Sequence, residues 1–140
     1  MSQQYKHYYF VGIGGSGMSA VAQILRAQGH RVSGSDRTHD SRGNRHLFNK
    51  LEAQGIRLVP QAGASVMPDI DFLIVSSAIE SSSSEREQAL RLSIPIIHRA
   101  ELLANLFNPV MGIGIAGTSG KSTVTGMMAS ILDADDRRAT

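Results

Sequence analysis

The sequence predicts an α/β fold of the Rossmann-like kind, an open parallel sheet with helices on both faces. Three observations predict it. Short apolar runs rich in β-formers alternate with longer amphipathic stretches. Glycine, proline or serine punctuates most junctions. Two of those junctions are glycine-rich loops, each lying between an apolar run and a helical one. Strands separated by helices pair in parallel through right-handed crossovers.

Taken in order, Tyr8 to Ile13 is a buried strand. Met18, Val21, Ala22 and Leu25 recur at helical spacing as far as Gln28, and Gly29 closes that helix. Arg31 to Ser35 is a second strand. Ser41 to Gln54 reads as a helix with Leu47, Phe48 and Leu51 on one face, closed by Gly55. Ile56 to Val59 and Phe72 to Val75 are further strands, the latter strongly apolar. Ser84 and Glu87 have capping-box spacing and start a helix running to about Leu92. Ile94 to Ile97 is a fifth strand, with Pro95 marking an edge or entry position. Arg99 to Leu106 is a helix, and Asn108-Pro109 breaks the chain. Met111 to Ala116 reads as a sixth strand, and Ser122 to Leu132 as a last helix. Two domains are expected, 1–108 and the beginning of a second at 109–140.

Composition narrows the function classes. The 140 residues are 41% hydrophobic and 19% charged, which suits a folded domain rather than a disordered chain. No apolar run reaches the roughly 18 residues of a membrane span, and the N-terminus lacks a signal-peptide pattern. With no cysteine, neither disulfides nor thiolate-bound zinc hold the fold. These features favour a cytoplasmic protein. Lys and Arg are scattered and aromatics few, against a nucleic-acid groove. His7, His30, His39 and His46 lie in polar surroundings and read as surface residues, while Met127 and Met128 read as core. No His/Asp/Glu cluster has metal-ligand spacing.

The first loop, Gly12-Ile13-Gly14-Gly15-Ser16-Gly17, fits G-x-G-x-x-G between a strand and a helix. Such glycines permit a tight turn and let backbone approach a ligand, while the helix start favours an anion. Tight strand–helix packing alone would also use them. Asp36 ends the second strand, 19 residues beyond Gly17, where a carboxylate accepts from ribose hydroxyls or a base. The motif alone does not choose between a dinucleotide and a UDP diphosphate.

The second loop, Gly117-Thr118-Ser119-Gly120-Lys121-Ser122-Thr123, resembles a P-loop. Backbone amides of such a loop cradle phosphates, its lysine reaches the terminal ones, and the next hydroxyl binds magnesium. The strict template wants a glycine at Ile115, and Gly114 stands one place earlier. Two phosphate loops point to a nucleotide-linked substrate used together with ATP.

GIGGSGM at Gly12 to Met18, GSD at Gly34 to Asp36, SSAI at Ser76 to Ile79, RAELLANL at Arg99 to Leu106 and AGTSGKST at Ala116 to Thr123 occur in that order. In these segments the chain resembles the Mur ligase family, and its alanine-adding branch in particular. The resemblance implies an ATP-dependent ligase of peptidoglycan synthesis that joins L-alanine to UDP-N-acetylmuramate through an acyl phosphate. It implies that the UDP-sugar lies on Gly12, Gly14, Gly15, Ser16, Gly17 and Met18, with Asp36, Ser76, Ser77 and Arg99 lining the rest. It places ATP on Gly117, Thr118, Ser119, Gly120, Lys121, Ser122 and Thr123, with Lys121 catalytic and Ser122 on Mg2+. His98, beside Arg99, is a further candidate. Arg99 pairs with phosphate or serves structure.

The sequence departs from the family pattern at several positions. Ser119 stands where histidine is usual, and Ser122 where threonine is. The Gly-His pair expected after the third strand is replaced by Gln61-Ala62-Gly63-Ala64, and the usual Asn-Pro-Glu by Ser82-Ser83-Ser84-Glu85. A recycling ligase that adds a peptide to UDP-MurNAc therefore stays open. So do a nicotinamide-dependent oxidoreductase domain and a non-catalytic binding module. The pattern runs out one helix past the P-loop, so the chain alone is expected not to ligate and not to hold ATP or Mg2+ tightly. The oligomeric state is open.

Overall fold

A computed structural model describes residues 5–39, 44–110 and 112–135. The chain divides into two compact units, Met1–Asn105 and Leu106–Thr140. The first is a five-stranded sheet built from β1 (His7–Val11), β2 (Arg31–Ser35), β3 (Arg57–Val59), β4 (Phe72–Val75) and β5 (Ile96–His98). Their spatial order is β3-β2-β1-β4-β5 and every pair is parallel. Helices α1 (Ser16–Ala27), α2 (Arg45–Ala53), α3 (Ser84–Arg91) and α4 (Arg99–Phe107) connect or follow the strands.

β1 lies at the centre of the order, so it meets protein on both faces. Its alternation accordingly pairs apolar with apolar: Tyr9 and Val11 on one face, Phe10 on the other, all buried. Tyr9 and Val11 join Leu73, Val75, Ala89 and Ile94 in one cluster. Each large apolar side chain buried this way stabilises the fold by roughly 1.5–3 kcal/mol. Gly34 in β2 is needed for close approach: a Cβ there would sit 2.6 Å from the Phe10 carbonyl oxygen and 2.9 Å from Ile13 Cδ1.

The polar groups on the Tyr9 face are paired across strands. His7 Nε2 lies 2.8 Å from Ser33 Oγ, and Tyr9 donates its hydroxyl to Glu85 Oε1 at 2.8 Å. Ser35 Oγ donates to the same oxygen. His7 is thus buried, not a surface residue. Its polar sequence neighbours concealed an inward position on a central strand.

Several boundaries move. The helix expected from Ser41 begins at Arg45, and residues 41–43 lie outside the described residues. α3 is capped by Ser83 rather than Ser84; the Ser83 hydroxyl accepts from the Arg86 amide at 3.4 Å. The third helical residue is then Arg86, so the reciprocal half of a capping box is missing. β5 starts at Ile96 because Pro95 has no N–H for the ladder, though its carbonyl still accepts from Leu73 at 2.9 Å.

In the second unit residues 112–116 form no strand. A parallel strand takes its hydrogen bonds from a neighbour, and none of the described residues of this unit is in a strand. The glycine-rich loop leads into α5 (Lys121–Ala134), which buries none of its residues. Met127, expected in a core, is exposed beside Val124 and Ile131.

Candidate nucleotide-binding site

The first glycine loop sits at the carboxyl ends of the strands, where open α/β sheets bind ligands. Its shape is held from β2. The Ser35 carbonyl accepts the amides of Gly12 at 2.8 Å and Ile13 at 2.9 Å. Gly12 has φ 76°, a left-handed conformation that suits glycine. Gly15 caps α1, and its carbonyl accepts from Met18 and Ser19. Helix geometry leaves the amides of Ser16 and Gly17 directed out of the N-terminus, with the positive end of the helix dipole.

Arg99 lies over that end. A Cβ on Gly17 would sit 2.5 Å from Arg99 Nη1 and 3.0 Å from its Cζ. A residue 82 positions later thus brings a guanidinium to the helix start, at the point where backbone amides already favour an anion. The turn after β4 joins the same edge. Ile79 Cδ1 would lie 3.2 Å from a Cβ on Gly12, and the Ile79 amide closes the turn onto the Ser76 carbonyl at 3.1 Å. Ser76 is half-buried there and Ser77 exposed.

Three candidates have structural duties. Asp36 accepts the Gly14 amide at 2.7 Å through Oδ2, and the Thr38 amide and hydroxyl at 2.8 and 2.7 Å through Oδ1. Its carboxylate ties the glycine loop to the turn after β2. Met18 is 3% exposed and packs beneath Gly15, so its side chain belongs to the core. His98 accepts the Ala100 amide through Nδ1 at 3.3 Å, a local bond at the start of α4.

Sequence reasoning missed Glu85. It is 1% exposed, yet it lies in a mostly polar helix, and only its spacing from buried Ala89, four residues on, marks an inward face. Burial pushes the Tyr9 phenol bonded to it well above its ordinary range. Burial also lowers the His7 imidazole, with Arg31 adding to the effect against Asp69 and Asp71.

In the second unit, Gly120 caps α5 in the left-handed conformation, φ 76°. Lys121 Nζ bonds back to the loop carbonyls of Gly117 at 2.6 Å and Thr118 at 3.5 Å. Residues 117 to 123 are all exposed. Among the described residues no group of His, Cys, Asp or Glu could hold a metal, and no helix is long and apolar enough to cross a membrane.

A five-stranded parallel sheet with a glycine loop and a helix start at its carboxyl edge defines a Rossmann-like α/β domain. More particularly, the chain belongs to the Mur ligase family: the family described as "Mur ligase family, catalytic domain" matches residues 7–110. A UDP-N-acetylmuramate–L-alanine ligase of Carboxydothermus hydrogenoformans is 40% identical over 126 residues, 89% of this chain and 26% of that protein. One from Burkholderia mallei is 42% identical over 129 residues, 92% of this chain and 27% of that protein. The chain therefore spans about a quarter of the length of these curated relatives.

Among solved structures, a UDP-N-acetylmuramate–alanine ligase from Thermotoga maritima superposes with a TM-score of 0.79 at 30% identity, over 92% of this chain and 29% of that one. The UDP-N-acetylmuramate:L-alanyl-gamma-D-glutamyl-meso-diaminopimelate ligase from Neisseria meningitides gives 0.80 at 29% identity, over 92% of this chain and 40% of that one.

Proposed function

We propose that the unit ending at Asn105 binds the UDP end of UDP-N-acetylmuramate, and that the chain is the N-terminal part of an ATP-dependent ligase joining L-alanine to that sugar. The observation that carries the reading is the pairing of the Arg99 guanidinium with the Gly17 end of α1. A diphosphate there receives backbone amides, the helix dipole and a planar cation together. The relatives' names share UDP-N-acetylmuramate and differ in what is joined to it, alanine or a peptide. The proposal therefore rests most firmly on the sugar nucleotide. The peptide-adding alternative is favoured by the likeness to the Neisseria ligase and leaves this site's ligand unchanged.

Within the proposed reaction, this chain's residues bind and orient. Gly12, Gly14, Gly15, Ser16 and Gly17 hold the diphosphate by backbone, Arg99 by charge, and Asp36 keeps the loop in shape. Ser76 and Ser77 offer hydroxyls at the same edge. ATP is the co-substrate that activates the muramyl carboxylate as an acyl phosphate. Residues Gly117 to Thr123 would hold its phosphates, Lys121 neutralising charge and Ser122 meeting Mg2+. The chemistry of the loop fits: an αL glycine, a lysine and two hydroxyls stand at the start of a helix. Its exposure, and the folding of Lys121 onto the loop's own carbonyls, argue that ATP does not bind tightly to this chain alone.

Thermal unfolding with UDP-N-acetylmuramate, NAD and ATP–magnesium in parallel tests this. A ligand at about 100 times its Kd stabilises a binder by about 2.7 kcal/mol, a rise of several degrees. The expected result is a rise with the UDP-sugar alone. A rise with NAD alone would replace the reading with an oxidoreductase domain.

A further inference from the structure

The crossover from β3 to β4 runs back across β2 and β1, since the strand order is β3-β2-β1-β4-β5. Between Val59 and Phe72 it holds no α-helix, only a 3-10 turn at Gly63–Ser65. A crossover helix normally fills the layer over such strands. Here Ala89 of α3 packs with Tyr9 and Val11, which covers the carboxyl half of that face. The amino half keeps a cavity of about 560 Å3, within the roughly 300–1,000 Å3 usual for ligand pockets. His7, Ser33, Arg57, Val59, Met67 and Ile70 are among its walls. His7 opens β1 and Gly12 follows its end, so about five residues of strand, roughly 16 Å, separate this cavity from the glycine loop.

The floor is polar but already paired. His7 and Ser33 are both buried. His7 Nδ1 lies 3.2 Å from the Asp69 carbonyl oxygen, which can only accept. Nδ1 therefore carries the proton, and Nε2 accepts from the Ser33 hydroxyl at 2.8 Å. Burial lowers the imidazole pKa, so this floor is uncharged at neutral pH. The walls formed by Val59, Ile70 and exposed Met67 are apolar. Arg31, Arg57 and Asp69 are exposed at the rim. Asp69 neutralises Arg31 at 2.6 Å. Arg57 has no ion-pair partner among the described residues. The β2–β3 register sets it beside Ser33 on the cavity face. One uncompensated guanidinium thus borders an apolar chamber with a neutral floor.

We propose that this cavity is a second ligand site, which takes a small monocarboxylate with an apolar body. The carboxylate pairs with Arg57, whose planar guanidinium matches it through two parallel hydrogen bonds. The body lies against Val59, Met67 and Ile70, where the flexible Met67 side chain adapts to its shape. A second negative charge would find Arg31 already taken and Asp69 beside it, so a nucleotide diphosphate is disfavoured here. The site is independent of the nucleotide reading.

The test is amide NMR titration of the whole 140-residue chain with octanoate and with octanamide, its uncharged counterpart. Octanoate is expected to give saturable shifts at Ser33, Arg57, Ser65 and Ile70 and none at Gly14 to Gly17. It should bind about tenfold or more tightly than octanamide. Arg57→Met, at an exposed position, should remove that preference and leave UDP-N-acetylmuramate affinity unchanged. Equal binding of acid and amide, or a preference that survives Arg57→Met, would overturn the carboxylate assignment. Shifts centred on the glycine loop or on Val124, Met127 and Ile131 of α5, or no saturable shift at all, would overturn the site itself.

Discussion

At the scale of single residues, the site depends on contacts between distant parts of the sequence. Arg99 and Gly17 meet although 82 positions separate them. Replacing Arg99 with Met keeps an unbranched apolar stem but removes the charge. UDP-N-acetylmuramate affinity should fall about tenfold or more, since a hydrogen bond to a charged group contributes about 1.5–3 kcal/mol. Titration at low and high salt checks it, because the charge-dependent share shrinks with screening. An unchanged Kd would make Arg99 structural. Gly34→Ala is a stability counterpart. Its Cβ would meet backbone, the Phe10 carbonyl at 2.6 Å, which cannot swing aside. A loss of about 1–3 kcal/mol is expected in urea unfolding. The glycine loop was legible from its spacing. The Arg99 contact was not, because sequence places Arg99 only at a strand end. Asp36 was legible as important but not in its role, since bonding to Gly14 and Thr38 depends on how the β2 turn closes.

At the scale of elements, α3 is the informative case. Its serine-rich approach supplies the Ser83 cap, and Ser83→Ala should cost about 1 kcal/mol. At its other end Ser93 takes φ 55°, a conformation that strains most residues other than glycine. Ser93→Gly should relieve this and stabilise by about 0.5–1 kcal/mol, net of glycine's greater freedom when unfolded. Measured Tm should therefore move in opposite directions for the two variants. A drop for both would mean that the left-handed serine carries a bond that glycine cannot supply. The element pattern was readable because buried parallel strands are continuous apolar runs and amphipathic helices keep their period. At the α3 cap and at β5 the boundary moved by only one or two residues. Residues 112–116 are different in kind: apolar sequence predicts willingness to be a strand, but only a partner makes one.

At the scale of the whole molecule, the polar layer on one face of the sheet links stability to pH. His7 lies in β1 with Ser33 opposite, and Lys6, Arg31, Asp69 and Asp71 around it. Burial holds its pKa below the ordinary 6.5. Between that lowered value and 6.5 the unfolded chain binds a proton that the folded chain refuses, so stability is lost as pH falls. Asp71, which accepts the His7 amide at 2.7 Å, has a pKa below its ordinary 3.8. Its contribution is present above 3.8 and is lost only at more acid pH, as the carboxylate protonates through its lowered pKa. Tm should therefore decline through His7 in the window from 6.5 down to that lowered value, before Asp71 contributes. His7→Gln removes the titration. Its Tm should be lower at neutral pH, where the bond to Ser33 is altered, but much flatter across this window. If the variant kept the parent's slope, the acid sensitivity would have to arise elsewhere. None of this was visible in the sequence, where His7 sits among Lys6, Tyr8 and polar neighbours. Its burial follows from the register that sets β1 between β2 and β4, a property of the assembled sheet rather than of any local run.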